Sequence, residues 1–377
     1  MKCRDIAFVG GGIGSAIGNV HRISSQMDGN FQLVGGCFSR SPNANAETGS
    51  RWGLSKTRIY RDLFELIDSE RERVSTVAVL TPVFSHASII SVLLEEGFNV
   101  ISEKPLVSSL DEARHLMAVA ERGASQLYVT FNYTGYPMIR ELRARILRGD
   151  FGQVRQMRLT MQQESYVKRD LEGSPILPQI WRREDRSIPT VSLDLGMHVV
   201  HLQQFLLPQK PRSVTSRMAS FGNFNNLVDD VDVMYACEEG LFVHGWWSKS
   251  AAGYTNGLSV ELFGTEGSAK WVQLDPETLR LRGTGGSEQI IHRGTNDCIV
   301  AGLSRYNRFK AGHPDGFIEA FANIYADIAV RLDDPKKVET PFTYVDEFSV
   351  AQSAMLLATL DAAVEAARTR REVEITA

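Results

Sequence analysis

The stretch IAFVGGGIG, Ile6 to Gly14, constrains this chain more than any other: an apolar strand runs straight into a glycine cluster and then into a helical pattern. Glycines at such a junction let the chain turn sharply and let main-chain N–H groups approach an anion at the positive end of a helix. That combination is expected of the first β-α-β unit of a nucleotide-binding domain. Gly10, Gly12, Ile13 and Gly14 are the expected contacts. The literal G-x-G-x-x-G is incomplete, because Ser15 stands where the third glycine would fall. A glycine-rich turn with no ligand is the alternative reading of the loop taken alone.

Up to about Tyr133, short apolar runs alternate with helical ones: IAFVG, FQLVGGCFS, RIY, VSTVAVLTP, NVISEKP and QLYVTFNY. Continuous apolar strands separated by amphipathic segments imply a parallel sheet covered by helices on both faces. HASIISVLLEEG reads as one such helix, closed by Gly97 in the capping position. Beyond Tyr133, the helical MIRELRARILRG leads into QVRQMRLTMQQ, DVDVMYAC, LFVHGWWS, LSVELFGT, SAKWVQL and TLRLRG. Closely spaced alternating runs of this kind signal an antiparallel sheet. Two helical patterns, GFIEAFANIYADIAVRL and DEFSVAQSAMLLATLDAAVEAARTR, follow. The expected fold class is α/β, with a doubly wound parallel sheet in residues 1–135 that binds a dinucleotide. Residues 136–377 are expected to form an α+β domain with a large, mostly antiparallel sheet, serving substrate binding and oligomerisation.

A net charge of -4 gives no global pull toward nucleic acid, so none is expected as a partner. Cys3, Cys37, Cys237 and Cys298 show no C-x-x-C spacing, which fits a reducing compartment. IAFVG is too brief for a signal-peptide core, and no apolar run looks long enough to span a bilayer. A cytoplasmic protein is expected.

In NAD-binding proteins the second strand ends on an acid that accepts from the adenosine ribose. Here it ends GGCFSRS, which puts Ser39 and Arg40 there. No carboxylate repels a 2′-phosphate and Arg40 can pair with one, a slight lean toward NADP or dual use over NAD alone. The other reading lays Arg40 on the adenine face of NAD. Ligands of open parallel sheets bind beyond the carboxyl ends of the strands. Thr81, Pro82 and His86 of VLTPVFSH, with Glu103 and Lys104 of ISEKP, are therefore expected around the cofactor, Lys104 near its reactive end. Pro105 restricts Lys104 to an extended conformation. A plain surface ion pair between Glu103 and Lys104 is the bland alternative.

TVSLDLGMHVVHLQQFLL supplies the proton chemistry. If it is helical, Asp194 and His198 lie four apart on one face, where a histidine can take a hydroxyl proton while a carboxylate orients it. Asp194, His198 and His201 could instead ligate a metal, but the glutamate of H-E-x-x-H is missing and no metal is expected. His201 reads more simply as a core histidine.

Together, the glycine loop, TPVFSH, EKP, DLGMH and GHPDGFIEAFANIY resemble the glucose-fructose oxidoreductase, inositol dehydrogenase and rhizopine catabolism (Gfo/Idh/MocA) dehydrogenases over nearly the whole chain. The resemblance implies a Rossmann domain followed by a mostly antiparallel sheet domain, with the substrate on that sheet's open face beside the nicotinamide. It implies NAD(P)-dependent oxidation of a secondary alcohol of a sugar or cyclitol, or reduction of the ketone. Lys104 matches the family's active-site lysine, and Asp194 with His198 its D-x-G-x-H pair. Trp181 and Arg182 resemble its tryptophan-arginine pair near the nicotinamide, and Asn132 is expected to line the same pocket. His313 of GHPDGF is a substrate-contact candidate, with a structural role at the start of a helix as the alternative. A homo-oligomer, dimer or tetramer, is the family habit. One departure is RSIPTVSLDLG, where Pro189 and bulky side chains replace a glycine-rich approach. Two rival classes stand beside the enzyme: a nucleotide sensor without turnover, and a metal-dependent hydrolase built on Asp194, His198 and His201.

Overall fold

The computed structural model describes residues 3–334 and 350–376, so residues 346–349 of the expected last helix lie outside the described residues. Among the described residues the strands form a five-stranded and a nine-stranded sheet. The first compact unit holds residues 3–135, 317–334 and 350–354; the second holds 136–316 and 355–376.

In the first unit, β1 (Arg4–Gly10), β2 (Phe31–Cys37), β3 (Thr76–Leu80), β4 (Asn99–Glu103) and β5 (Leu127–Thr130) lie in the order β2-β1-β3-β4-β5, all parallel. Helices α1 (Gly18–Gln26), α2 (Pro42–Arg51), α3 (Leu63–Glu70), α4 (His86–Glu95) and α5 (Leu110–Arg122) fill the connections. Ile6, Phe8, Val77, Val79, Val100 and Val129 are completely buried, as a sheet covered on both faces requires. Gly97 takes φ +86° after α4, the left-handed conformation expected of it. The run RIY is not a strand. It contributes an isolated bridge between Ile59 and Gly36, and the main chain at Arg58 packs so closely that a Cβ on Gly35 would sit 2.4 Å from its carbonyl oxygen. TPVFSH and EKP therefore end the third and fourth strands rather than the fourth and fifth.

The second unit opens with α6 (Pro137–Arg148), stopped by Gly149 at φ +88°. Its sheet runs through β6 (Val154–Gln162), β7 (Pro211–Ala219), β8 (Asp230–Cys237), β9 (Phe242–Ser248), β10 (Ser259–Gly264), β11 (Gly267–Val272), β12 (Asp275–Gly283) and β13 (Glu288–His292). A short β14 (Val373–Glu374) completes the edge beside β7. Every pairing is antiparallel except β6 with β9. Met157, Leu159, Val243 and Trp247 are buried on the face that α7 (Met197–Leu206) covers. Met234 and Phe242 on the other face are 57% and 60% exposed.

The late helix α8 (Phe317–Asp333) belongs in space to the first unit, although it follows the second sheet in sequence. Phe321 meets His21 of α1 edge-on at 5.0 Å, Tyr325 meets Phe31 at 5.5 Å, and Asn323 donates to the Gly135 carbonyl at 2.8 Å. Gly135 has no room for a Cβ, which would lie 2.0 Å from the Ala320 oxygen. Helix α9 (Val350–Thr369) is long and apolar enough to cross a membrane by length and composition, contrary to expectation, but most of it is buried inside the fold.

Candidate active site

The sheet order sets Gly10 at the carboxyl end of β1 and Thr81, Lys104 and Asn132 just beyond those of β3, β4 and β5, with the switch point between β1 and β3. Gly10, Gly11 and Gly14 take φ of +83°, +75° and +90°. A Cβ on Gly10 would come 2.8 Å from Thr81 Cγ2 and one on Gly11 2.7 Å from Leu80 Cδ1, whereas Gly14 faces open space. The third glycine role falls to Gly18, three residues beyond Ser15: a Cβ there would sit 1.6 Å from the Gly11 carbonyl oxygen. Ser15 Oγ instead accepts from the N–H of Gly18 at 3.2 Å.

Two loop N–H groups hold the loop itself. Gly12 donates to the Phe38 carbonyl at 3.2 Å and Ile13 to Thr48 Oγ1 at 3.0 Å, so Ile13 offers a ligand its half-buried side chain rather than its amide. Ser39 Oγ accepts from Ser41 N–H at 3.2 Å, Arg40 is exposed, and the first turn of α2 carries no acid.

His86 and Glu103 both make protein contacts next to the expected cofactor crevice. His86 is 1% exposed, with Nε2 2.7 Å from the Thr81 carbonyl and Nδ1 3.0 Å from that of Pro105; burial holds its pKa below the usual histidine range. It sits behind the TP and KP turns with each ring nitrogen facing a main-chain oxygen, and its single N–H donates to one of them. Glu103 Oε1 accepts from Thr130 Oγ1 at 2.8 Å and meets His21 Nε2 at 2.9 Å, while His21 Nδ1 meets Tyr325 OH at 2.7 Å. Its carboxylate thus links β4 to α1 and, through His21, to α8. Lys104, before a cis peptide bond to Pro105, is half-buried. Asn132 is buried and its Nδ2 has no hydrogen-bond partner among the described residues, an orphan donor that a bound ligand would satisfy.

In the second unit Asp185 starts the site segment: its Oδ1 accepts from the N–H and hydroxyl of Thr190 at 2.8 and 3.0 Å, and its Oδ2 from Val228 N–H at 2.8 Å. Ser192–Gly196 then forms a π turn rather than the expected α-helix, running directly into α7. Trp247 of β9 dictates Gly196, since a Cβ there would lie 2.8 Å from the indole, and Trp247 Nε1 donates to Ser192 Oγ at 3.1 Å. Asp194 is inside the turn and His198 opens α7; they are 5% and 4% exposed.

Asp194 Oδ2 is 2.8 Å from Arg182 Nη2 and 2.9 Å from Lys249 Nζ. Arg182 stacks on its neighbour Trp181 at 4.6 Å, and its Nε is buried without a hydrogen-bond partner among the described residues. Lys249 was not singled out from the sequence. Its signal was strand parity: Val243, Gly245, Trp247 and Lys249 alternate onto one face, and a lysine ending a buried row calls for a carboxylate. Tyr166, whose hydroxyl donates to the Arg182 carbonyl at 3.3 Å, is pushed up to about 12 by burial.

His201 is buried in α7, and burial, then Arg143, pushes its pKa down to about 3. Among the described residues no three His, Cys, Asp or Glu side chains are grouped to hold a metal. His313 is exposed, its Nδ1 3.1 Å from the Lys310 carbonyl in its own turn, and its carbonyl accepts from Arg293 Nη2 at 2.8 Å. Helix α7, which carries His198, covers the inner face of the second sheet.

A glycine cradle at the switch point of a parallel sheet, in one chain with a large sheet carrying buried ionisable groups, defines a dinucleotide-dependent oxidoreductase. The family model described as an oxidoreductase family with an NAD-binding Rossmann fold matches residues 4–131, and that of the GFO/IDH/MocA C-terminal domain matches residues 139–270. A Bacillus subtilis (strain 168) protein described as an uncharacterized oxidoreductase is 30% identical over 340 residues, 87% of this chain and 85% of that one. The crystal structure of an inositol dehydrogenase homolog from Azotobacter vinelandii complexed with NAD+ superposes with a TM-score of 0.89 at 27% identity, covering 99% of this chain and 97% of that one. The same homolog complexed with NADH and myo-inositol gives 0.88 at 27%, covering 99% and 98%. The chain belongs to the Gfo/Idh/MocA family of oxidoreductases.

Proposed function

We propose that this protein is a cytoplasmic dehydrogenase that moves a hydride between a secondary alcohol of a sugar or cyclitol and a nicotinamide cofactor. The observation that carries the reading is Asp194, a buried carboxylate clamped at 2.8 and 2.9 Å between Arg182 and Lys249 one turn before the buried His198. A helix that served only packing would place apolar side chains there. The cofactor, when bound, supplies the hydride acceptor at nicotinamide C4. His198 takes the hydroxyl proton, Asp194 orients the imidazole, and Lys104 places positive charge on the substrate oxygen. Ketone reduction uses the same groups in reverse.

The positive-φ glycines and the orphan Asn132 amide support cofactor binding at the first sheet. Exposed Arg40, with no acid in the first turn of α2, supports NADP or dual use. The complex of the Azotobacter homolog with myo-inositol supports a cyclitol or similar polyol. The open face of the second sheet, with Met234 and Phe242 exposed, supports a homo-oligomer. The test is an absorbance screen for reduced nicotinamide with inositols, aldoses and anhydrosugars, NAD and NADP side by side. Turnover of a polyol supports the reading; nucleotide binding without turnover on any member points first to a nucleotide-linked or unusual sugar, and to a sensor only when those also fail.

A further inference from the structure

We propose that Lys249 is a positioning residue for the reaction, fixing the π turn that carries Asp194 from the strand beneath it; the inference rests on the reading that Asp194 and His198 serve turnover. Strand β9 sends Val243, Gly245 and Trp247 to the face covered by α7, and Lys249 continues that row one step past the strand end. The parallel partner β6 sets Met161 beside Trp247, so Gln163 comes next to Lys249, and Lys249 Nζ reaches Gln163 Oε1 at 3.2 Å. The main chain here is fixed on both sides: Lys249 N–H donates to the Asp229 carbonyl at 2.7 Å, and the Lys249 carbonyl accepts from Tyr166 N–H at 2.8 Å.

Trp247 of β9 and Lys249 just past its end, two apart, thereby grip two residues of the turn, also two apart. Trp247 Nε1 holds Ser192 Oγ at 3.1 Å, and Lys249 Nζ holds Asp194 Oδ2 at 2.9 Å. π turns are rare, and those that occur recur at functional sites. A lysine only 3% exposed is costly to bury, and an apolar side chain would fill the row more cheaply. What the ammonium adds is charge at a defined point. With Arg182 on the same oxygen, it keeps Asp194 a carboxylate and keeps it still, so the moving proton falls to His198.

The experiment is a double-mutant cycle on kcat/KM with whichever polyol and nucleotide the wild type turns over, beside NADH affinity by fluorescence titration and the melting temperature. Lys249→Met should lower kcat/KM about tenfold or more with NADH affinity unchanged. Asp194→Asn should cost more, and the double variant should be no worse than Asp194→Asn alone, because Lys249 acts through Asp194. Lys249→Gln, which keeps a donor for Asp194, should recover part of the loss and replaces the methionine variant if that one fails to fold. Multiplying losses in the double variant, or wild-type turnover in Lys249→Met, would overturn the inference and leave the dehydrogenase reading standing. A wild type that binds NADH and turns over neither the panel nor nucleotide-linked sugars overturns both.

Discussion

Gly18, the first residue of α1, lies so close to Gly11 that a Cβ on it would sit 1.6 Å from the Gly11 carbonyl oxygen. Helix and glycine loop can touch in this way only because position 18 has no side chain. Gly18→Ala should therefore destabilise the fold by about 1–3 kcal/mol and weaken NADH binding together with it. Gly14→Ala meets open space and only backbone strain at φ +90°, on the order of 1 kcal/mol. Urea unfolding and NADH fluorescence titration of the two variants compare them; equal effects would show that the close approach is not what shapes the cradle.

Lys104→Met and His198→Ala should each cut kcat by about a hundredfold to ten-thousandfold, the usual loss when a positioned acid or base is removed. NADH affinity should stay near that of the wild type. Turnover retained in both variants would remove these residues from the chemistry.

Arg40 follows β2 and is exposed, with Ser39 and Ser41 on either side. Arg40→Ala should weaken NADP binding about tenfold or more while leaving NAD affinity unchanged, since only the 2′-phosphate gains from the guanidinium. Calorimetric titration with both nucleotides reads the ratio. Equal loss for both would place Arg40 against the adenine instead.

Acid should unfold the protein partly through His201. The unfolded chain takes up the imidazole proton near 6.5, whereas the buried ring takes it up only near 3, so stability is full above 6.5 and falls as the pH drops toward 3. The slope from this group approaches about 1.4 kcal/mol per pH unit. His86 is shifted in the same direction by burial. Urea midpoints between pH 7 and 4 should fall less steeply in His201→Leu than in the wild type; parallel slopes would contradict the assignment.

The legible parts of the fold were those written locally. Apolar runs ending in GGG, TP, EKP and FN announced a parallel sheet with polar strand ends, and DVDVMYAC and LFVHGWWS announced the antiparallel one. What stayed hidden depends on partners distant in sequence. His86, which opens α4, and Glu103, at the end of β4, have partners that their own segments do not announce, the Pro105 carbonyl and His21. RIY looked like a strand because its composition fits one, but it makes a single bridge. Lys249 gains its meaning only when β6, β9 and the π turn are brought together, although its parity along β9 was readable. The substitution of Gly18 for the expected third glycine depends on where α1 begins, which the loop sequence alone leaves open.

The most direct measurement follows the hydride itself. The purified protein is incubated with NAD or NADP and polyols carrying deuterium on the ring carbons, and the reduced nucleotide is examined by proton NMR. The account predicts one deuterium at nicotinamide C4 per ketone formed. Reduced nucleotide carrying no deuterium at C4, or nucleotide that binds and is never reduced, would contradict it.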